Sequence, residues 1–244
     1  YLGIWVISPK RLFTNNWQDE LWLVAGGIFG GSLYFFTENT ALGITQASNV
    51  SFIICTAPLL TTILSLLFYK SEKASKGLIY GSLLALMGVG LIVFNGSFVL
   101  KISPIGDLLT LLAALSWAFY SLIIKKMAGR YPTIFITRKI FFYGVLTILP
   151  AFLLHPLHPD TAVLLQPAVL FNLLFLAVLA SLICYVLWNV VLKQLGTVRA
   201  SNYIYLNPLV TMIASFLILD EKITLVALGG AACIVCGVYW AEKK

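Results

Sequence analysis

Charged side chains are scarce in this sequence. Asp, Glu, Lys and Arg make up 10% of its 244 residues, where a soluble domain carries about 25%. Too few polar groups remain to cover a water-facing surface, so a water-soluble globular domain is excluded and lipid must be the solvent for most of the chain. Acidic residues are rarer than basic ones, 9 against 16, which leaves a formal charge of +7. That excess does not point to nucleic acid. The Lys and Arg residues sit in short clusters between apolar runs, as membrane topology requires, and no basic patch is interleaved with aromatics. Histidine occurs twice, at His155 and His158, among prolines in a loop where nothing completes a metal site. The four cysteines, Cys55, Cys184, Cys233 and Cys236, all lie in apolar runs. The CxxC spacing of Cys233 and Cys236 has no second pair or histidine to form a zinc site, so they read as small buried residues. There is no GxSxG serine and no pair of intramembrane Asp residues, which argues against an enzyme, and no cofactor is implied. The chain has no initiator Met and no signal-peptide pattern. YLGIWVI opens directly on apolar residues and reads as the tail of a longer helix.

What the chain does have is long apolar runs. A spanning helix needs about 20 mostly apolar residues, and eight such segments follow the opening stub: roughly 21–42, 47–69, 76–95, 105–126, 133–154, 169–192, 200–219 and 224–241. They do not alternate as barrel strands would, and only a helix satisfies its own backbone in lipid. The links are short and polar. If the segments alternate across the membrane, every Lys and Arg except Lys101 and Lys222 falls on one side. That side is read as cytoplasmic, with the C-terminus on it.

The sequence also repeats itself. At a shift of 150, Asn39 meets Asn189, Ser51 meets Ser201, Pro58-Leu59 meets Pro208-Leu209, and Thr61 meets Thr211. One residue of slip then lays Glu72-Lys73 over Glu221-Lys222, and Gly81 and Gly88 over Gly230 and Gly237. The second copy has five helices starting near Ile105, so the partner start is expected about 45 residues before Tyr1. On that reading the first copy lacks one helix and most of another. An odd number of helices per copy gives the two copies opposite orientations, the inverted-repeat plan of many secondary transporters, with a substrate site near the midplane.

The stretches ENTALGITQASN and APLLTTILSLLFYKSEK resemble the first repeat of EamA-type transporters of the drug/metabolite transporter superfamily, and LSWAFYSLIIKK and VLKQLGTVRASNYIYLNPLVTMIASFLILDEKIT resemble the second. The resemblance covers essentially the whole chain. It implies an all-α integral membrane protein with a ten-helix, five-plus-five inverted-repeat fold, of which about eight full helices and a stub are present. The first repeat is placed at 1–95, a link at 96–104 and the second repeat at 105–244. It also implies a secondary carrier of small metabolites or drug-like solutes that works by alternating access, and the absence of a GxxxxGK[ST] phosphate loop agrees with that. Export with proton coupling across a bacterial inner membrane is the expected mode. A uniporter or exchanger of the same fold, or a non-transporting structural or signalling subunit, are the alternatives. The expected partners are a small-molecule substrate, membrane lipid and protons, with a monomer and a homodimer both left open.

Within the runs, polar and aromatic residues mark the candidate site. A charge near a helix centre costs roughly 2.5–3.5 kcal/mol on insertion scales, so Glu38 needs a compensating cavity, partner or proton. On a helix it shares a face with Gly27, Gly31, Tyr34 and Leu42. It is expected either to contact a substrate cation or carry a proton, or to sit at the outer interface as a snorkelling or capping group. Asn39 and Asn189, at equivalent repeat positions, suit substrate binding or helix–helix hydrogen bonds equally. Trp117 and Tyr120 on one helix, and Tyr185 and Trp188 on another, suit either an amphipathic pocket or an interface belt. Asn202 and Tyr205 are expected to face the cavity together or to cap a helix end. Pro58 and Pro208 each remove a backbone hydrogen bond, and a kink with a gating role is expected at both. Gly26/Gly30, Gly27/Gly31 and the positions around Gly81, Gly88, Gly229 and Gly230 read as close-packing sites. Arg138 and Lys139 are expected to set topology at the end of their helix.

Overall fold

The computed structural model describes residues 13–69, 75–94, 103–154, 161–219 and 223–243. Every regular element among the described residues is helical. In chain order these are α1 (Trp17–Gly27), a π-helical turn (Ile28–Ser32), α2 (Leu33–Ile44), α3 (Ala47–Ile54), α4 (Ala57–Phe68), α5 (Lys76–Phe94), α6 (Pro104–Ala128), α7 (Thr133–Leu154), α8 (Thr161–Leu164), α9 (Pro167–Leu174), a second π-helical stretch (Phe175–Ile183), α10 (Cys184–Leu195), α11 (Thr197–Asn202), a 3₁₀ turn (Tyr203–Leu206), α12 (Asn207–Leu219) and α13 (Leu225–Glu242).

Seven helical runs are long and apolar enough to cross a membrane: Ala47–Phe68, Lys76–Phe94, Pro104–Ala128, Thr133–Phe152, Pro167–Leu195, Thr197–Ile218 and Leu225–Glu242. The eighth expected segment is helical from Trp17 through Ile44, but it carries Asp19, Glu20 and Glu38 and is not among the seven. The paired Glu-Lys links at 72–73 and 221–222, the two histidines, and Lys10, Arg11 and Lys101 lie outside the described residues.

Several helix boundaries fall at positions that a shift of 150 makes equivalent. Ile28–Ser32 lies, at a shift of 150, inside the π-helical stretch Phe175–Ile183. The first stretch contains two glycines and the second none, so glycine content alone does not place them. α3 and α11 start at equivalent positions, as do α4 and α12. Between them, the turn at Cys55–Thr56 corresponds to the last half of the 3₁₀ turn Tyr203–Leu206. Pro58 and Pro208 therefore do not bend continuous helices. Each is the second residue of a new helix, a position where the missing N–H has no intrahelical partner to lose.

The described residues pack as two compact units: those within 1–32 and 123–195, and those within 33–122 and 196–244. In the first, α1 lies against α7 through small residues. A methyl group on Gly27 would come within 2.5 Å of Tyr143 Cβ, and one on Gly31 within 3.0 Å of Gly144 Cα. Ser32 and Thr147 share a hydrogen bond of 2.8 Å above that contact.

In the second unit, α5 and α13 make the closest helix pair. A methyl group on Gly88 would stand 2.5 Å from the Gly230 carbonyl oxygen, and one on Gly230 2.7 Å from that of Gly88. Gly81 and Gly237 face each other in the same way. Because 81 pairs with 237 and 88 with 230, the helices run antiparallel. The repeat operation that sends 81 to 230 and 88 to 237 carries one contact onto the other, so the pair has a local two-fold axis. Beside it, Cys55, Ala85, Val89, Tyr205, Ile234 and Val238 form a buried cluster, with Phe52, Leu86 and Leu206 packed on it.

Candidate functional site

Four of the predicted site residues meet in the second unit. Tyr34 and Glu38 stand one turn apart on α2, where the spacing of four puts both on one face. The Tyr34 hydroxyl donates to Glu38 Oε1 at 3.0 Å. The Tyr34 ring lies 5.1 Å, centroid to centroid, from the ring of Trp117 on α6, and Trp117 lies 5.2 Å from Tyr120. Tyr120 is fully buried and Glu38 partly so. The result is a carboxylate held by a phenol at the edge of a continuous aromatic wall. Aromatic faces attract cations through their quadrupole and a carboxylate does so by charge, so the group suits an ammonium or a proton.

Asn39, next in sequence, points elsewhere. It is exposed, and its amide donates to the Phe35 carbonyl of its own helix at 2.8 Å. Asn202 and Tyr205, also in this unit, are fully buried. The ring of Tyr205 belongs to the apolar cluster around Ile234. Neither side-chain atom of Asn202 has a hydrogen-bond partner among the described residues.

Tyr185, Trp188 and Asn189 belong to the first unit, on α10. Two of the three use their polar tips to tie helices together. The Tyr185 hydroxyl donates to the Gly30 carbonyl at 2.7 Å. Gly30 lies in the π-helical turn, where the regular i→i−4 ladder is interrupted and a carbonyl is open to an outside donor. The Tyr185 ring packs 5.1 Å from that of Phe141. The Asn189 amide donates to Thr137 Oγ1 at 2.8 Å, joining α10 to α7, while Trp188 is partly buried. In a membrane such a bond has a modest measured worth, so a double-mutant cycle of Asn189→Leu and Thr137→Val should return a coupling of about 0.6 kcal/mol. SDS-titrated unfolding checks it, and zero coupling would remove Asn189 from the helix contact.

A second polar group in the first unit was not foreseen. Asp19 and Glu20, read from the sequence as part of a polar link, form the first turn of α1 and are buried. Their partners include Thr14, Arg130, Tyr131, Lys139 and Tyr143. Lys139 and Arg138, expected as topology markers at a helix end, are buried in the second turn of α7. An acidic pair opening an otherwise apolar helix was the available signal. Among the described residues no three His, Cys, Asp or Glu side chains gather in a way that would hold a metal ion.

The model of the EamA-like transporter family matches residues 1–94 and 104–241. An uncharacterized transporter of Archaeoglobus fulgidus is 28% identical over 245 residues, covering 100% of this chain and 83% of that protein. A probable amino-acid metabolite efflux pump of Escherichia coli is 24% identical over 241 residues, covering 96% of this chain and 81% of the pump. One solved crystal structure superposes with a TM-score of 0.81 at 18% identity, over 99% of this chain and 81% of the other, a likeness of fold. With seven apolar helices of spanning length and a family match across nearly its whole length, the chain belongs to the EamA-like transporter family and is a multi-pass membrane transporter.

Proposed function

We propose that this transporter is a proton-coupled secondary carrier that exports a small amino-acid-derived solute by alternating access, with Glu38 as the coupling or cation-binding carboxylate. It would sit in a bacterial cytoplasmic membrane with its C-terminus inside, as the one-sided distribution of Lys and Arg favours. The observation that carries the reading is the Tyr34–Glu38 hydrogen bond beside Trp117. An intramembrane carboxylate costs free energy, and a phenol donor with an aromatic wall compensates it while leaving its second oxygen for a ligand. The substrate class follows the name of the Escherichia coli relative. The opposite chain directions of α5 and α13, at equivalent repeat positions, support two inverted copies, the plan on which alternating access is built.

Glu38→Gln tests the coupling role. The purified protein is placed in proteoliposomes with amino acids and their decarboxylated amines, and flux is followed with and without a pH gradient. The wild type should show gradient-driven flux, and the variant should lose it to background while keeping its melting temperature. Equal flux in both proteins at every pH would remove Glu38 from coupling. Flux that no proton gradient drives would favour a uniporter or exchanger with Glu38 in a structural role.

A further inference from the structure

We propose that Asp19 and Glu20 form an ionic latch that holds the start of α1 to α7 and to the α6–α7 turn, and that releases when the carrier changes state. The inference rests on the alternating-access reading above.

The latch is built from two carboxylates, each with several donors. Asp19 Oδ1 is 2.5 Å from Arg130 Nη1, and its Oδ2 accepts from the Tyr131 hydroxyl at 2.9 Å. Glu20 Oε1 pairs with Lys139 Nζ and accepts from the Tyr143 hydroxyl. Its Oε2 accepts from the Thr14 backbone N–H at 2.9 Å and the Thr14 hydroxyl at 2.7 Å. Lys139 also donates to Tyr143 at 3.2 Å. The side chains of Asp19, Glu20 and Lys139 are less than a tenth exposed, whereas Arg130 is 54% exposed.

Three features make this a releasable contact rather than permanent glue. First, buried ion pairs seldom stabilise a fold better than apolar residues of the same size, and lipid-facing helices already pack through van der Waals contact. In a chain with so few charges, four gathered at one helix start call for a role beyond cohesion. Second, the repeat does not copy them. At the shift of 150, Asp19 and Glu20 become Val169 and Leu170, which are partly buried and exposed. A feature in one copy only biases one end state of a two-state cycle. Third, the surroundings allow release. The π-helical turn at Ile28–Ser32 interrupts the helix two turns beyond the latch. Between latch and turn, α1 meets α7 at Gly26 and Gly27, which carry no side chain of their own to lock into the Ile140 and Tyr143 side chains packed on them. Arg130 is exposed and stands in the turn between α6 and α7, outside the spanning helices, so the charges can be hydrated on opening.

Distance measurement between spin labels tests the latch directly. Gln18, which is exposed, and Gly129, where a side chain would meet nothing within 4 Å, take the labels as cysteines, with the four native cysteines replaced by alanine. The wild type should give one short distance as its major population. Glu20→Gln with Lys139→Met, which removes both charges together, should raise a longer population about tenfold, the shift that ~1.4 kcal/mol produces, at an unchanged melting temperature. Arg130→Gln, at a side chain that is already exposed, should raise the same population and serves if the buried pair proves needed for folding. A single short distance in every variant overturns the latch. So does a longer distance that appears only together with a lowered melting temperature. Wild-type flux is read separately in proteoliposomes, so a failed carrier reading shows there and not in the distances.

Discussion

Lys139→Met is expected to cost about 3–5 kcal/mol, the range for removing one partner of a buried ion pair. The lysine ammonium sits within a tenth of full burial, against Glu20 and the Tyr143 hydroxyl. Methionine fills a similar volume with no charge, so packing changes little. What remains is a carboxylate at the start of α1 with Tyr143 and Thr14 as its hydrogen-bond donors and its ion-pair partner gone. Glu20→Gln in the same chain should recover the loss, because a neutral amide no longer needs the cation. Unfolding by SDS titration in mixed micelles gives both numbers. If the single and double variants unfold at the same SDS fraction, Lys139 does not compensate Glu20.

How much of this could be read beforehand differs from residue to residue. The helices were legible because lipid leaves a chain few options: twenty apolar residues in a row must be helical, and prolines and polar clusters mark their ends. The reading of a repeat rests on matching Asn, Pro and Gly positions, which punctuate stretches where apolar residues interchange. Tyr34 and Glu38 could be placed on one face from their spacing alone, but their meeting with Trp117 on α6 needed the fold. Asp19 and Glu20 could not be assigned partners, since Arg130, the cation paired with Asp19, is 111 residues away in sequence. A polar cluster before an apolar run looks the same whether it faces water or a buried lysine. Tyr185 and Asn189 carry the same chemistry in a pocket wall as in a helix contact. Their use as helix ties follows from two features without a one-dimensional signature, the open carbonyl of Gly30 and the position of Thr137.

Gly88→Leu is expected to separate α5 from α13 and to destabilise the protein by about 3 kcal/mol, the upper part of the range for overpacking. Two effects compete. Any residue other than proline favours the helical state over glycine, by up to about 1 kcal/mol for alanine, so Gly88 would be replaceable if space allowed. Space does not allow it: the first carbon of a side chain would stand 2.5 Å from the Gly230 carbonyl oxygen and 2.8 Å from the Ile234 amide nitrogen. Both are backbone atoms of a helix and cannot turn aside as a side chain could, so the axes must move apart and the interhelix contacts are lost along their length. Gly230→Leu should cost as much, since Gly230 faces the Gly88 carbonyl oxygen across the same local two-fold. The pair should be strongly sub-additive, because one separation of the helices accommodates both side chains, as expected for residues in direct contact. Gly229, adjacent on α13 but with nothing within 4 Å, supplies the control: Gly229→Leu should be neutral or slightly stabilising. Equal losses at Gly229 and Gly230 would show that α13 resists leucine for a reason other than its contact with α5, and additive losses at Gly88 and Gly230 would show that the two glycines do not share one interface.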